Sequence, residues 1–176
     1  KPTYKSKRLK IEDGVLLHAS TTSEIIFIPE GVAEIGREAF KNCDRGIFKI
    51  IFPKGLKKIG VSAFEGCSNL IEFDVKDPDL CYYAAISAND EIDQFSNGFS
   101  QFPSTLEEIG ENAFRSFGDN SHGFGQRLME YLILPQSLKK IGKGAFEDAG
   151  IRAIYIAGPQ AISERCFQGG GLRKVI

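Results

Sequence analysis

The sequence predicts one α/β solenoid domain, in which short coils of chain stack on one another along a common axis. Three observations predict this fold. A block of twelve residues recurs four times without a gap, a short β-branched and aromatic run precedes each copy, and a proline ends each run. We expect the coil to be right-handed, with a parallel sheet on its concave face and short helical turns on the opposite side.

The repeated block begins at a proline and ends at a phenylalanine eleven residues later. The four copies are residues 29–40, 53–64, 103–114 and 135–146. Each copy has Ile six residues after the proline, Gly seven after it, and Ala directly before the Phe. A fifth, weaker copy keeps the step from Ile162 to Phe167. Recurring side chains predict interior columns, one of which holds the repeat phenylalanines: Phe40, Phe64, Phe114 and Phe146.

The run ahead of each proline predicts a strand. Such runs are β-branched or aromatic at alternating positions, and proline lacks the N–H that would continue a ladder. The segments with this spacing are residues 24–28, 47–52, 70–75, 129–134, 151–156 and 172–175. Because successive coils bring these segments side by side, we expect parallel strands about 4.8 Å apart.

The residues after the repeat glycine predict the return turn of each coil. In residues 36–43, charged side chains precede Ala39 and Phe40, which suits a short helical turn with its Phe directed inward. The glycine at the corner, for example Gly36, predicts a backbone with positive φ, which glycine adopts at the lowest cost.

Two irregular intervals predict insertions in a domain that spans residues 1–176 and holds about five or six repeats. Successive repeat phenylalanines are 24, 50, 32 and 21 residues apart. The longest interval leaves room for a degenerate repeat or a functional loop near residues 76–101, and the next for extra residues near 118–126. The last strand, at residues 172–176, predicts either pairing in a homodimer or truncation of a longer array.

The repeat resembles the BspA-like, or Treponema-type, leucine-rich repeats. The shared pattern is I-x-I-P-x-x-V-x-x-I-G-x-x-A-F-x-x-C-x-x-L, with Cys43 and Cys67 at its cysteine position. The resemblance extends from about Ile11 to Ile176 apart from the insertions. It implies a non-enzymatic, surface-exposed or secreted bacterial protein that binds a host matrix protein, another cell-surface protein or a glycan. A passive spacer in a larger envelope protein is the alternative.

Charge and composition argue against a nucleic-acid-binding protein and against a membrane-spanning segment. The chain has 22 Lys and Arg against 23 Asp and Glu, so it lacks the basic excess that binding to nucleic acid requires. No stretch approaches the roughly 18 apolar residues that would span a membrane. The chain begins at Lys1 without Met or an apolar leader, which is typical of a mature or trimmed chain, so the lack of a leader does not argue for the cytoplasm.

No pattern in the sequence indicates a catalytic site, a metal or a cofactor, and we expect none. His18 and His122 have no ligand partner at helical or turn spacing. Pairing of Cys81 with His122, between the two insertions, is the remaining enzyme hypothesis. Three other cysteines fall at repeat positions that predict small buried side chains: Cys43, Cys67 and Cys166.

The outward positions of the strands predict a binding face. The position before the last core residue of each strand is apolar or aromatic in four cases of five, and the position two earlier adds a tyrosine. From these rows we predict contacts for a protein partner at Phe27, Ile51, Asp74, Tyr131, Ile133 and Tyr155. The alternative is that β-propensity alone selects these residues, or that an insertion covers them.

The segment 76–101 predicts a second contact region. It is rich in acidic and aromatic residues, and Tyr82 and Tyr83 are of the type that dominates protein contacts. A degenerate repeat kept only for packing is the alternative.

Overall fold

Four of the described coils have one strand before a repeat proline and a two-residue strand after it. The computed structural model describes residues 9–20, 24–43, 46–75, 99–118, 129–156 and 161–176. The strands in these ranges are β1 Leu9–Glu12, β2 Val15–Ala19, β3 Ile25–Phe27, β4 Glu34–Ile35, β5 Lys49–Phe52, β6 Lys58–Ile59, β7 Glu72–Val75, β8 Phe99–Gln101, β9 Glu108–Ile109, β10 Met129–Leu134, β11 Lys140–Ile141, β12 Ile151–Ile156, β13 Ala161–Ile162 and β14 Lys174–Val175.

The strands build parallel sheets on two sides of the solenoid, where the sequence predicted a sheet on one. Strands that precede a repeat proline, or hold the same place in their coil, form a three-stranded sheet, β3-β5-β7, and a four-stranded sheet, β14-β12-β10-β8. The five two-residue strands β4, β6, β9, β11 and β13 join the longer strands β1 and β2 in a seven-stranded sheet, in the order β1-β2-β4-β6-β9-β11-β13. The pairings are parallel except for the antiparallel β1–β2 hairpin. The parallel-sheet solenoid is confirmed.

The repeat prolines end the strands as predicted. β5 ends at Phe52, directly before Pro53, and β10 ends at Leu134, directly before Pro135. At each corner the residue three positions later donates its N–H to the proline carbonyl, with N···O distances of 3.4 Å at Leu56 and 3.1 Å at Leu138. The proline therefore fixes the bend between the two strands of a coil.

The predicted file of phenylalanines is confirmed. Neighbouring rings stack face to face, with centroids 4.8 Å apart for Phe40 and Phe64, and 5.1 Å apart for Phe64 and Phe114. The file continues through Phe146 at 5.1 Å to Phe167 at 5.4 Å. The first four rings are buried. Consecutive coils therefore lie in register, and the core runs along the whole stack.

The predicted short helical turns are wrong, because the described residues contain no helix. Two positions in each turn have a left-handed backbone, such as Glu38 with φ 55° and Asn42 with φ 55°. Alternate N–H groups also leave the turn: Phe40 donates to the carbonyl of Ala63 on the next coil, at 2.8 Å. A helix needs right-handed φ throughout and keeps its hydrogen bonds within the segment. Inter-coil bonding therefore takes the place of helix.

The predicted reason for the corner glycines is also wrong. Gly36, Gly60, Gly110 and Gly142 do not have positive φ. Instead, coils approach so closely that a Cβ at Gly60 would lie 2.8 Å from the carbonyl oxygen of Ile35, and one at Gly142 would lie 2.5 Å from the backbone nitrogen of Glu111. Glycine is required at the corners because of close backbone stacking.

The 50-residue interval between Phe64 and Phe114 affects the two sides of the solenoid differently. In the seven-stranded sheet β6 pairs directly with β9, so no strand lies between them. On the other side β7 and β8 lie next to each other, and side chains join them: the N–H of Phe73 donates to Oγ of Ser100 at 2.9 Å. Residues 76–98 and 119–128 lie outside the described residues. Within the described ranges, no helix has the length and apolar character to cross a membrane.

Candidate protein-binding face

The three-stranded sheet presents an apolar patch, formed by Ile25, Phe27 and Ile51. Side chains alternate along each strand, so that Ile26 on β3 and Ile50 on β5 are buried while their neighbours point outward. In the parallel register Phe27 lies beside Ile51. Phe27 is 66% exposed and Ile25 is 39% exposed, and Ile51 is half-buried. The patch is thus predominantly large, apolar and in contact with solvent.

An ion-paired cluster borders the patch. Nζ of Lys49 lies 2.6 Å from Oε1 of Glu72 and 3.4 Å from Oδ2 of Asp74. Partial burial alone would lower the pKa of Lys49, but the hydrogen bond to Glu72 and the charges of both carboxylates outweigh it and raise that pKa. Asp74 also accepts a hydrogen bond from Nε2 of Gln101 at 3.1 Å. Asp74, a predicted contact, therefore has its carboxylate engaged by this chain.

The predicted contacts on the four-stranded sheet do not continue the patch. Ile133 is only 5% exposed, so its prediction as part of an exposed face is wrong. Gln101, its register partner on β8, is also buried. Tyr131 and Tyr155 are half-buried on the far side of β8. The structure thus brings Phe27, Ile51 and Asp74 together and leaves the two tyrosines apart from them.

Tyr82 and Tyr83 lie outside the described residues, as do Cys81 and His122. The insertion contacts and the cysteine–histidine pairing therefore stay predictions.

The seven-stranded sheet has a different surface, which the sequence reading missed. Acid and base alternate from coil to coil, because Glu34, Lys58, Glu108 and Lys140 are successive register partners. Nζ–Oε distances between neighbouring coils are 3.8 Å for Lys58–Glu34 and 3.6 Å for Lys140–Glu108. The signal was visible at the position two before each repeat glycine. Charges on this side largely compensate one another.

The described cysteines are placed for packing. The thiol of Cys67 donates to the carbonyl oxygen of Phe40 at 3.0 Å in the core. Burial raises the pKa of the Cys166 thiol to about 12, although a backbone hydrogen bond with Phe146 lowers it in part. A thiol with so high a pKa is protonated at neutral pH and is a poor nucleophile. Within the described residues, no three His, Cys, Asp or Glu side chains are grouped to hold a metal ion.

Comparison with known proteins places this geometry among bacterial repeat proteins. The model of the BspA type leucine rich repeat region, in six copies, matches residues 9–118 and 93–176. The crystal structure of a leucine rich repeat protein of T. pallidum has a TM-score of 0.63 at 18% identity, covering 92% of this chain. This chain spans 62% of the length of that protein. Among curated proteins, none matches this sequence.

Two further solved structures share the fold. A leucine-rich repeat protein from Bacteroides capillosus has a TM-score of 0.53 at 18% identity, covering 84% of this chain and 91% of its own. A leucine rich cell surface protein from Faecalibacterium prausnitzii has a TM-score of 0.50 at 16% identity, covering 92% of this chain and 45% of its own.

Proposed function

We propose that this chain, which belongs to the BspA-type leucine-rich repeat family, is a non-enzymatic adhesion module that binds a protein on or outside a bacterial cell through its apolar patch. The observation that carries the proposal is the exposure of Phe27 beside Ile25 and Ile51. Leucine-rich repeat domains serve widely as protein-interaction modules, and a rigid sheet face presents contacts without a large ordering cost.

The energetics favour the patch as the contact. Burial of a whole Phe side chain contributes about 1.5–3 kcal/mol, so covering the exposed two thirds of Phe27 would contribute about 1–2 kcal/mol. Ion pairing of Lys49 with Glu72 and Asp74 gives the patch a polar border. An apolar centre with a polar rim is the usual anatomy of an interface.

Surface localisation rests on family and relatives. The family resemblance implies surface-exposed or secreted proteins, and the F. prausnitzii protein is described as a cell surface protein. We propose the same location for this chain, with a host matrix protein or another cell-surface protein as its partner.

The test is surface plasmon resonance of the chain against immobilised matrix and bacterial surface proteins. We expect Phe27→Ser to weaken binding about five- to thirtyfold, which corresponds to the contribution of about 1–2 kcal/mol above. Ile162→Ser is the matched control, because Ile162 is 47% exposed on the seven-stranded sheet. Equal effects of the two substitutions would refute the patch as the site. No binding to any protein of the panel would favour the passive spacer.

A further inference from the structure

The partner's mode of binding can be inferred from the edge of the three-stranded sheet, on the premise that the chain binds a protein as proposed above. β3 pairs with β5, and no other described strand pairs with it. An open strand edge presents backbone donors and acceptors that another strand can use. β3 also carries Phe27, the most exposed large apolar side chain among the described residues, and Ile25, which is 39% exposed.

The two sides of the solenoid do not end together at this point. The seven-stranded sheet continues past β4 to β2 and β1, whereas the three-stranded sheet stops at β3. β2 stacks on the next coil as the later coils stack on one another: Leu16 pairs with Ile35, and the N–H of Ala19 donates to the carbonyl of Ala39 at 2.9 Å. Among the described residues the layer of β2 therefore lacks the strand that every later coil places before its proline.

Hydrogen bonds to β5 show which backbone groups of β3 are directed to the open edge. The N–H of Ile28 donates to the carbonyl of Ile51 at 3.0 Å, and the carbonyl of Glu24 accepts from Phe48 at 2.9 Å. Successive residues of a strand direct their backbone groups to opposite sides. The N–H and C=O groups of Ile25 and Phe27 consequently face away from β5, and they match the spacing of one added strand.

Charges at both ends of β3 indicate the chemistry of the occupant. Glu24 and Glu30 are exposed and enclose the apolar residues 25–29, and residues 24–30 contain no cation. Residues 1–8, Lys-Pro-Thr-Tyr-Lys-Ser-Lys-Arg, do not alternate apolar and polar side chains, so their sequence is a poor match for a strand beside Ile25 and Phe27.

We infer that β3 receives an extended segment of the partner protein as an added strand, with apolar residues at alternate positions and Lys or Arg at both ends. Main-chain hydrogen bonds to Ile25 and Phe27 supply affinity, and contacts with their side chains and with Glu24 and Glu30 supply selectivity. Since Glu24 directly precedes β3 and Glu30 stands at the corner after Pro29, either strand direction places an acidic residue near each end of the added strand.

The probe is the synthetic peptide acetyl-Lys-Val-Thr-Ile-Thr-Val-Lys-amide, titrated into the full chain. Two N-methylated forms of the peptide distinguish binding at the strand edge from binding on the sheet face. One is methylated at the two valines and the isoleucine of the peptide, and the other at its two threonines. A strand bound by one edge uses the N–H groups of alternate residues. We therefore expect one methylated peptide to bind at least tenfold more weakly than the other, and the amides of Ile25 and Phe27 to exchange at least tenfold more slowly with the parent peptide.

Charge recognition has its own control. Glu24→Gln/Glu30→Gln should weaken peptide binding severalfold at low salt, whereas Glu111→Gln/Glu164→Gln removes the same charge from exposed turn residues and should leave it unchanged. Equal loss with both methylated peptides, or amides of Ile25 and Phe27 that are already protected in the free chain, would overturn strand addition. If protein binding still depends on Phe27 while those amides stay unprotected, the partner lies on the sheet face, and the proposed function survives without the added strand.

Discussion

Phe64→Ala tests the stacked core at its centre. The Phe64 ring is fully buried between Phe40 and Phe114, and Phe52 and Phe73 approach its edges with centroids 6.3 Å and 6.2 Å away. Loss of the side chain removes the transfer free energy of about 1.5–3 kcal/mol and leaves a cavity that the rigid neighbouring coils can fill only in part. We expect the free energy of unfolding to fall by about 3–5 kcal/mol.

Urea unfolding followed by circular dichroism measures this loss as a shift in midpoint, with the slope as a check for partial unfolding. Phe167→Ala is the matched control, because its ring lies at the end of the file, is half-buried and stacks on Phe146. It should cost about 1–2 kcal/mol. A loss below about 1 kcal/mol for Phe64→Ala, or a larger loss for Phe167→Ala, would refute the continuous file as the main source of stability.

Three further predictions follow from contacts along the stack. Gly110→Ala should lower the free energy of unfolding in urea by about 1–3 kcal/mol, because its Cβ would lie 2.8 Å from backbone atoms of Gly60 and Val61. Gly55→Ala, with open space around it, should change that free energy by less than about 1 kcal/mol. Similar losses for the two variants would contradict close stacking. Ser100→Ala should lower the free energy of unfolding by about 1–3 kcal/mol, because the buried N–H of Phe73 loses its acceptor. Ser137→Ala, at a half-buried site, should lower it less. The reverse order would exclude a structural role for the link between β7 and β8. Iodoacetamide at pH 8 should leave Cys166 unmodified in the folded chain and alkylate it after unfolding, as followed by mass spectrometry; rapid native alkylation would contradict the raised pKa.

The repeated spacing made the core predictable. Equal steps from proline to phenylalanine placed the four repeat rings at one depth of successive coils, and stacking of the coils in register brings the rings into one file. These rings belong to Phe40, Phe64, Phe114 and Phe146. Proline was equally informative, because the missing N–H has the same consequence in every coil. These features depend on local covalent chemistry and on periodicity, both of which can be read from one chain.

The turn conformation could not be read in the same way. Left-handed residues such as Glu38, Ser62 and Asn112 are not glycine, and their conformation depends on hydrogen bonds to the next coil. The corner glycines misled for a related reason, since their requirement comes from a neighbouring backbone. At the predicted contact positions, alternation gave the direction of Ile133 but not its burial, because direction is a property of the strand and burial depends on the surrounding structure.

The seven-stranded and three-stranded sheets differ in the interactions that a bound partner would disrupt. In the seven-stranded sheet, Nζ of Lys140 lies 3.6 Å from Oε1 of Glu108, and directly before these strands Nζ of Lys139 lies 3.2 Å from Oε2 of Glu107. A partner on this side would compete with interactions that the coils already make. Surface pairs of this kind contribute little individually, but desolvating them beneath a partner is unfavourable. Covering Ile25 and Phe27 separates no ion pair and removes apolar surface from water. The contact proposed at the three-stranded sheet therefore avoids the desolvation cost that the charged sheet would impose.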